Sequence, residues 1–192
     1  MLEEEYQAGH RPFGAHRNLP PLQVPFEYEI REVVVTDLPD VREIYNHYVA
    51  NSTVTFDEDP MTLGELRTKF AQLGKLGLPF IVAVSPNGHV LGYAYVFPWK
   101  TKAAYRFTVE NSIYLGPAAT GKGLGKALMA ELITRSKAAG LKEIVAVIAD
   151  KGAEASIRLH EQFGFKEIGH MGKVGFKFNR WLGTVLMQKS LK

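Results

Sequence analysis

The chain has 192 residues, 46% of them hydrophobic, 22% charged and none of them cysteine. That length suits one domain with its own core, and the lack of cysteine excludes a disulfide scaffold, a thiol nucleophile, a thiolate metal site and an iron–sulfur cluster. The 23 basic side chains against 20 acidic ones give a net charge of +3, which admits an anionic ligand but lacks the dense Lys/Arg stripe of a nucleic-acid-binding surface.

Residues 1–26 carry Pro12, Pro20, Pro21 and Pro25 with no apolar period. They are expected to form a flexible tail ahead of one domain spanning 27–192. The start is acidic where a signal peptide is basic, and no apolar run approaches the roughly 20 residues of a membrane helix. A cytoplasmic chain with no membrane contact is expected. Setting aside the first 27 residues, with their two basic and four acidic side chains, leaves 21 basic against 16 acidic.

Residues 27–35 read as a strand. Thr36 or Asp37 then caps a helix with Pro39 in its first turn, where a missing N–H costs least. Leu38, Val41, Ile44, Tyr45 and Tyr48 recur on one face of that helix. Residues 52–60 form a loop. Thr62 and Glu65 make a capping box for a second helix to about Lys75. Residues 79–85 and 90–97 pair as a hairpin around Pro86-Asn87-Gly88. A long strand is expected from Lys100 to Leu115, a glycine-bearing loop over 116–125, a helix over 126–139 stopped by Gly140, and a doubly buried strand over 142–149. A helix over 153–163 and strands over 165–171 and 184–189 close the chain. The order predicts an α/β domain with a mixed sheet.

Chemistry concentrates at residues 111–139. Glycines 121, 123 and 125 permit a tight turn, and free N–H groups at the following helix start face an anion in the favourable end of the helix dipole. Lys122 and Lys126 add positive charge. Two readings stand: a phosphate cradle, or a loop whose glycines only turn the chain. Residues 116–123 (GPAATGKG) nearly match the P-loop of a nucleoside triphosphatase, and Asp150 ends the next strand as a Walker B aspartate would. Gly123, however, occupies the position of the magnesium-ligating hydroxyl. The six histidines show no metal-ligand spacing.

The segment Thr120-Gly121-Lys122-Gly123-Leu124-Gly125 resembles the pyrophosphate loop, Q/R-x-x-G-x-G/A, of GNAT-type acetyl-CoA-dependent N-acetyltransferases. The similarity extends through residues 31–56 (REVVVTDLPDVREIYNHYVANSTVTF), 96–117 (VFPWKTKAAYRFTVENSIYLGP), 144–165 and the run GKVGFKFNRWLGTVLMQ. These segments resemble the phosphinothricin/methionine sulfoximine acetyltransferase branch over about residues 28–190. The resemblance implies a GNAT fold, with a twisted mixed sheet of about seven strands, about four helices and acetyl-CoA in the cleft after the fourth strand. It implies a small-molecule amine acceptor, no metal and a homodimer. Glu110 is the implied general base, and strand alternation places it on one face with Thr108, Ser112 and Tyr114. His160 is the implied proton donor or relay near the CoA sulfur, a partly buried packing histidine being the other reading. Ile113, Tyr114 and Leu115 would lie along the pantetheine arm by their backbone. Thr120 through Lys126 would hold pyrophosphate, and Ser156, retained from the family's N-x-x-S, would be a further co-substrate contact. Phe56, Trp99, Lys100, Tyr105 and Arg106 would form the acceptor region, while Phe176, Phe178 and Trp181 suit packing or dimer contacts.

Two positions depart from the family pattern. Thr120 replaces a longer Gln or Arg donor, and Ala153 replaces an Asn that contacts pantetheine. Eroded CoA contacts keep a non-catalytic acyl-CoA-binding domain open as a rival, and acetylation of a protein N-terminus is the alternative within the same chemistry.

Overall fold

The computed structural model describes residues 26–192, so all of the expected tail but Phe26 lies outside the described residues. The elements follow the expected order. β1 (Glu29–Glu32) precedes α1 (Leu38–Asn51) and α2 (Leu63–Leu76). Then come β2 (Phe80–Val84), β3 (Val90–Pro98), β4 (Thr108–Leu115), α3 (Leu124–Ala138), β5 (Glu143–Ala149), α4 (Glu154–Gln162), β6 (Lys166–Lys177) and β7 (Arg180–Ser190).

Local chemistry explains several boundaries. The Asp37 side chain does not cap α1. It accepts from the Val34 N–H and pairs through both oxygens with Arg31 at 2.7 and 2.9 Å, locking the turn between β1 and the helix. The expected capping box opens α2: Thr62 Oγ1 accepts from the Glu65 N–H, and Glu65 Oε2 accepts from the Thr62 N–H. Left-handed Gly77 ends α2 at φ +65°, a conformation that glycine adopts at little cost.

The strands form one sheet in the order β1-β2-β3-β4-β5-β7-β6. Period-two alternation divides its side chains between two cores. Phe80, Val82 and Tyr93 meet Leu38, Val41, Leu66 and Leu73 of α1 and α2 on one face. Ile81, Ala94, Val96 and Val109 meet Leu124, Leu128, Met129 and Leu132 of α3 on the other. Among the described residues the only parallel pairing joins β4 to β5, and it covers three residue pairs, Thr108–Glu110 against Glu143–Val145. Beyond Glu110 the two strands part. β4 stays with β3 to Leu115, and β5 stays with β7 to Ala149. The sheet therefore opens as a wedge just past Glu110.

Three expectations need correction. The strand predicted from Lys100 begins only at Thr108, because Ala103–Tyr105 form a 3-10 turn that Arg106 closes through its N–H to the Ala103 carbonyl. α3 starts at Leu124, two residues earlier than expected. The closing strands are longer than predicted: β6 runs on to Lys177 and turns into β7 through Phe178 and Asn179, both left-handed at φ +50° and +57°. That is the twist a two-residue hairpin turn needs.

Candidate active site

A cavity of about 750 Å³ fills the wedge. One wall is the β4 run from Glu110 to Leu115; another is the Ala146–Ala149 stretch of β5 with Ser156 and His160 of α4. The glycine loop closes one end, and Tyr45, Tyr48, Tyr95 and the Val54–Phe56 loop close the other.

Glu110 stands where β4 leaves β5. It pairs with Phe97 of β3 and shares the α1/α2 face with Ser112 and Tyr114. Its carboxylate has no hydrogen-bond partner among the described residues. Burial raises its pKa, and the positive charges of Lys100 and Lys69 partly offset the rise. A half-buried carboxylate held above its ordinary value without a fixed partner suits proton transfer.

Asn111, one residue on, points to the opposite face and is buried. Its Nδ2 lies 2.9 Å from His160 Nε2, and His160 Nδ1 lies 2.8 Å from the Ser156 carbonyl. A carbonyl only accepts, so Nδ1 carries the proton, and Nε2 accepts from the asparagine. Both ring nitrogens are thus engaged in a neutral imidazole. Burial pushes the His160 pKa down and keeps it neutral. Phe165 packs edge-on at 4.8 Å. The structure brings His160 to the cavity wall and makes it the tie between α4 and β4.

In the glycine loop, Gly121 and Gly123 are left-handed at φ +73° and +81°. The N–H groups of residues 121–125 have no partner among the described residues. They leave a rim of free donors at the start of α3, an arrangement that suits an anion. Thr120, Gly121, Gly123, Gly125 and Lys126 line the cavity. Two predicted members do not. The Lys122 ammonium lies 4.7 Å over the Phe26 ring, and the Leu124 side chain is fully buried beneath the loop, which leaves Leu124 its backbone N–H alone. The Thr120 hydroxyl donates to the Pro117 carbonyl at 3.0 Å, so it stabilises the loop from within. Ala153 opens α4 without a side-chain cap.

Of the five predicted acceptor residues, only Phe56 lines the cavity. Its ring lies so close to Gly175 of β6 that a Cβ there would sit 2.5 Å from it. Trp99, Lys100, Tyr105 and Arg106 stand outside, on the segment around the 3-10 turn. Lys100 rests 4.6 Å over Trp99, and Arg106 rests 4.6 Å over Phe107. They precede the stretch where β4 is still paired with β5, so this segment lies behind the closed end of the wedge.

The loop that carries Phe56 has an unexpected anchor. Lys177 is 2% exposed, and its ammonium donates to the Ser52 and Thr55 carbonyls at 3.0 and 2.9 Å. Desolvation lowers its pKa against the pull of Asp57 and Glu58. The Tyr45 hydroxyl adds bonds to Thr55 and Asp57, and Thr53 Oγ1 donates to the Lys151 carbonyl.

The acetyltransferase (GNAT) family profile matches residues 41–165. The chain belongs to the GNAT acetyltransferase family. It is 41% identical over 162 residues to a phosphinothricin N-acetyltransferase of Alcaligenes faecalis, covering 84% of this chain and 82% of the relative. It is 42% identical to an L-methionine sulfoximine/L-methionine sulfone acetyltransferase of Pseudomonas aeruginosa, covering 84% and 94%. Among solved structures, a phosphinothricin acetyltransferase from Sinorhizobium meliloti in complex with acetyl-CoA superposes with a TM-score of 0.82 at 42% identity, covering 85% and 88%.

The acetyltransferase fold disposes of the triphosphatase reading. Asp150, the would-be Walker B residue, instead accepts from the Gly183 N–H and contacts His170. Four site groups in this acetyltransferase escaped sequence reasoning: Asn111, Tyr48, Tyr95 and Lys177. Helical spacing assigns Tyr48 to the core, yet its hydroxyl reaches the Leu115 carbonyl at 2.7 Å and ties the end of β4. For Asn111 the signal was present, since alternation from Glu110 sends it to the face on which α4 packs.

Proposed function

We propose that the enzyme transfers the acetyl group of acetyl-CoA to the α-amine of a small amino acid or analogue of the phosphinothricin or methionine sulfoximine kind, by direct attack in a ternary complex. The observation that carries this reading is the unpartnered Glu110 carboxylate at the point where β4 and β5 separate. On one side of it lie the open edge of β4 and the free amide rim of residues 121–125; on the other lies a tyrosine-lined wall.

The rim suits the pyrophosphate of the co-substrate, with Lys126 beside it. Residues 111–115 are paired to β3 but not to β5, which leaves backbone groups for the pantetheine amides and for the thioester oxygen. The acceptor arrives as an ammonium ion and passes one proton to Glu110. The freed amine attacks the thioester carbonyl, an N–H of β4 supports the developing oxyanion, and the C–S bond breaks. The attacking nitrogen, cationic in the adduct, gives its second proton to the departing thiolate, and Glu110 returns the first to solvent, so the balance closes without a change of charge on His160. His160 serves by holding Asn111 and α4 against β4.

The test is thiol release from acetyl-CoA with phosphinothricin, methionine sulfoximine, methionine sulfone and a peptide amine as acceptors. Saturable release with the amino-acid analogues, and intersecting double-reciprocal lines, are expected. CoA binding by calorimetry with no thiol release on any amine would leave the non-catalytic reading standing instead. The exposed row of Ile168, Val174, Phe176 and Trp181 on the closing hairpin supports a homodimer, which sedimentation velocity measures directly.

A further inference from the structure

Phe56 lines the cavity, yet it makes no hydrogen bond of its own among the described residues. Its neighbours are held instead. The Thr55 carbonyl accepts from Lys177 at 2.9 Å, and the Thr55 hydroxyl bonds that of Tyr45 at 2.9 Å. Asp57 accepts from the same Tyr45 hydroxyl, and its N–H donates to Thr55 Oγ1 at 3.3 Å. A second bond from Lys177 takes the Ser52 carbonyl at 3.0 Å.

β6, the edge strand of the sheet, backs the Phe56 ring. Gly175 and Lys177 are two residues apart on it and share one face, whereas Val174 and Phe176 at the alternate positions are exposed. Gly175 pairs with Leu182 where the β6–β7 ladder resumes after a register shift. A Cβ on Gly175 would lie 2.5 and 2.6 Å from two ring carbons of Phe56, well inside the contact distance of carbon atoms. Any side chain there forces the ring to yield, and a shift away from β6 carries it into the cavity it lines.

We propose that Gly175 and Lys177 are positioning residues for the acceptor: the inner face of this edge strand fixes where Phe56 stands, and so how wide that end of the cavity is. The inference rests on the reading that this end takes the acceptor. Gly175 supplies the space into which the ring recedes. Lys177 holds two carbonyls on the same side of Phe56 and keeps the loop from drifting along the strand. Methionine at 177 would match the length of lysine but leave both carbonyls without their donor. Neither residue lines the cavity, so both act through Phe56.

The test measures KM for methionine sulfone, KM for acetyl-CoA, kcat and Tm in wild type, Gly175→Ala, Lys177→Met, Phe56→Leu and the double variant Gly175→Ala with Phe56→Leu. The expected result is that Gly175→Ala raises the acceptor KM by about tenfold, the scale of an overpacked contact, with the acetyl-CoA KM within about twofold of wild type. Lys177→Met shifts the acceptor KM in the same direction. In the Phe56→Leu background, where the ring is gone, the Gly175→Ala effect shrinks to about twofold or less. Should Lys177→Met not fold, Gly175→Ala decides, since its clash is with a side chain that has room to move. An acceptor KM unchanged by Gly175→Ala, one raised as much in the Phe56→Leu background, or equal rises in both KM values overturns this inference and leaves the acetyl-transfer reading intact. A wild type that releases no thiol with any amino-acid analogue overturns the acceptor reading and this inference with it.

Discussion

On the α1/α2 side of β4, the Glu110 carboxylate has no hydrogen bond among the described residues and a pKa raised by burial. On the α4 side, one residue further along, Asn111 and His160 are locked in a chain that ends on the Ser156 carbonyl, and burial lowers the His160 pKa. Both side chains border one cavity, but only the first is free to move a proton. On the proposed reading the group that changes charge is left unpartnered, whereas both ring nitrogens of His160 are engaged, although Asn111 Oδ1 beside it has no partner among the described residues. The two also respond to pH with opposite sign. Burial raises the Glu110 pKa, so ionising it costs stability that returns as pH falls. His160 is neutral by preference, so acidification that charges it removes stability.

The largest expected effect separates the two sides. Glu110→Gln should lower kcat by about 100-fold or more, the usual contribution of a general base, and abolish the acid limb of the kcat/KM profile. The same variant should melt at a higher temperature than wild type at neutral pH, with the gain shrinking at acid pH. Unchanged turnover at saturating acceptor would break the comparison. His160→Ala should do the reverse. It leaves Asn111 without its partner at a cost of about 1–3 kcal/mol, a fall in Tm of roughly 2–4 °C for each kcal/mol in a chain of this size. Its kcat should fall far less than that of Glu110→Gln, with both limbs of the pH profile retained. Loss of a basic limb at unchanged Tm would instead place His160 in the chemistry. Gly123→Ala, which forces a side chain into a left-handed conformation, should cost about 1–2 kcal/mol and raise KM for acetyl-CoA more than KM for the acceptor. Thr62→Ala removes the capping box of the helix that carries Lys69; a loss of about 1 kcal/mol is expected by thermal melting, with kcat within about twofold of wild type.

How far the sequence discloses this site depends on the range of the interaction. The Thr62–Glu65 box, the Asn-Gly hairpin and the glycine loop are written in neighbouring residues and appear where expected. Glu110 is legible from alternation combined with the resemblance. The 3-10 turn at Ala103–Tyr105 carries no signal, because residues 100–107 contain neither glycine nor proline to mark where pairing with β3 stops. β6 was cut short because its exposed edge position leaves residues 172–177 without the alternation that marks a half-buried strand. Lys69, Tyr95 and Lys177 are invisible for another reason. Each acts on a group brought near by folding, and a lysine on an amphipathic helix or at a strand end reads simply as a solvated residue.

The Lys177 anchor has a consequence for the order in which the site is made. Its partners at Ser52 and Thr55 lie 125 and 122 residues earlier in the chain. During synthesis the glycine loop, α3 and α4 have all emerged before Lys177 exists, so the elements of the co-substrate side can assemble while the 52–57 loop still lacks its tether. The closing hairpin therefore fastens both walls late: Lys177 ties the 52–57 loop, and β7 then pairs along β5, so a chain that stops short of the closing turn carries an amide rim beside a cavity with neither wall tied down.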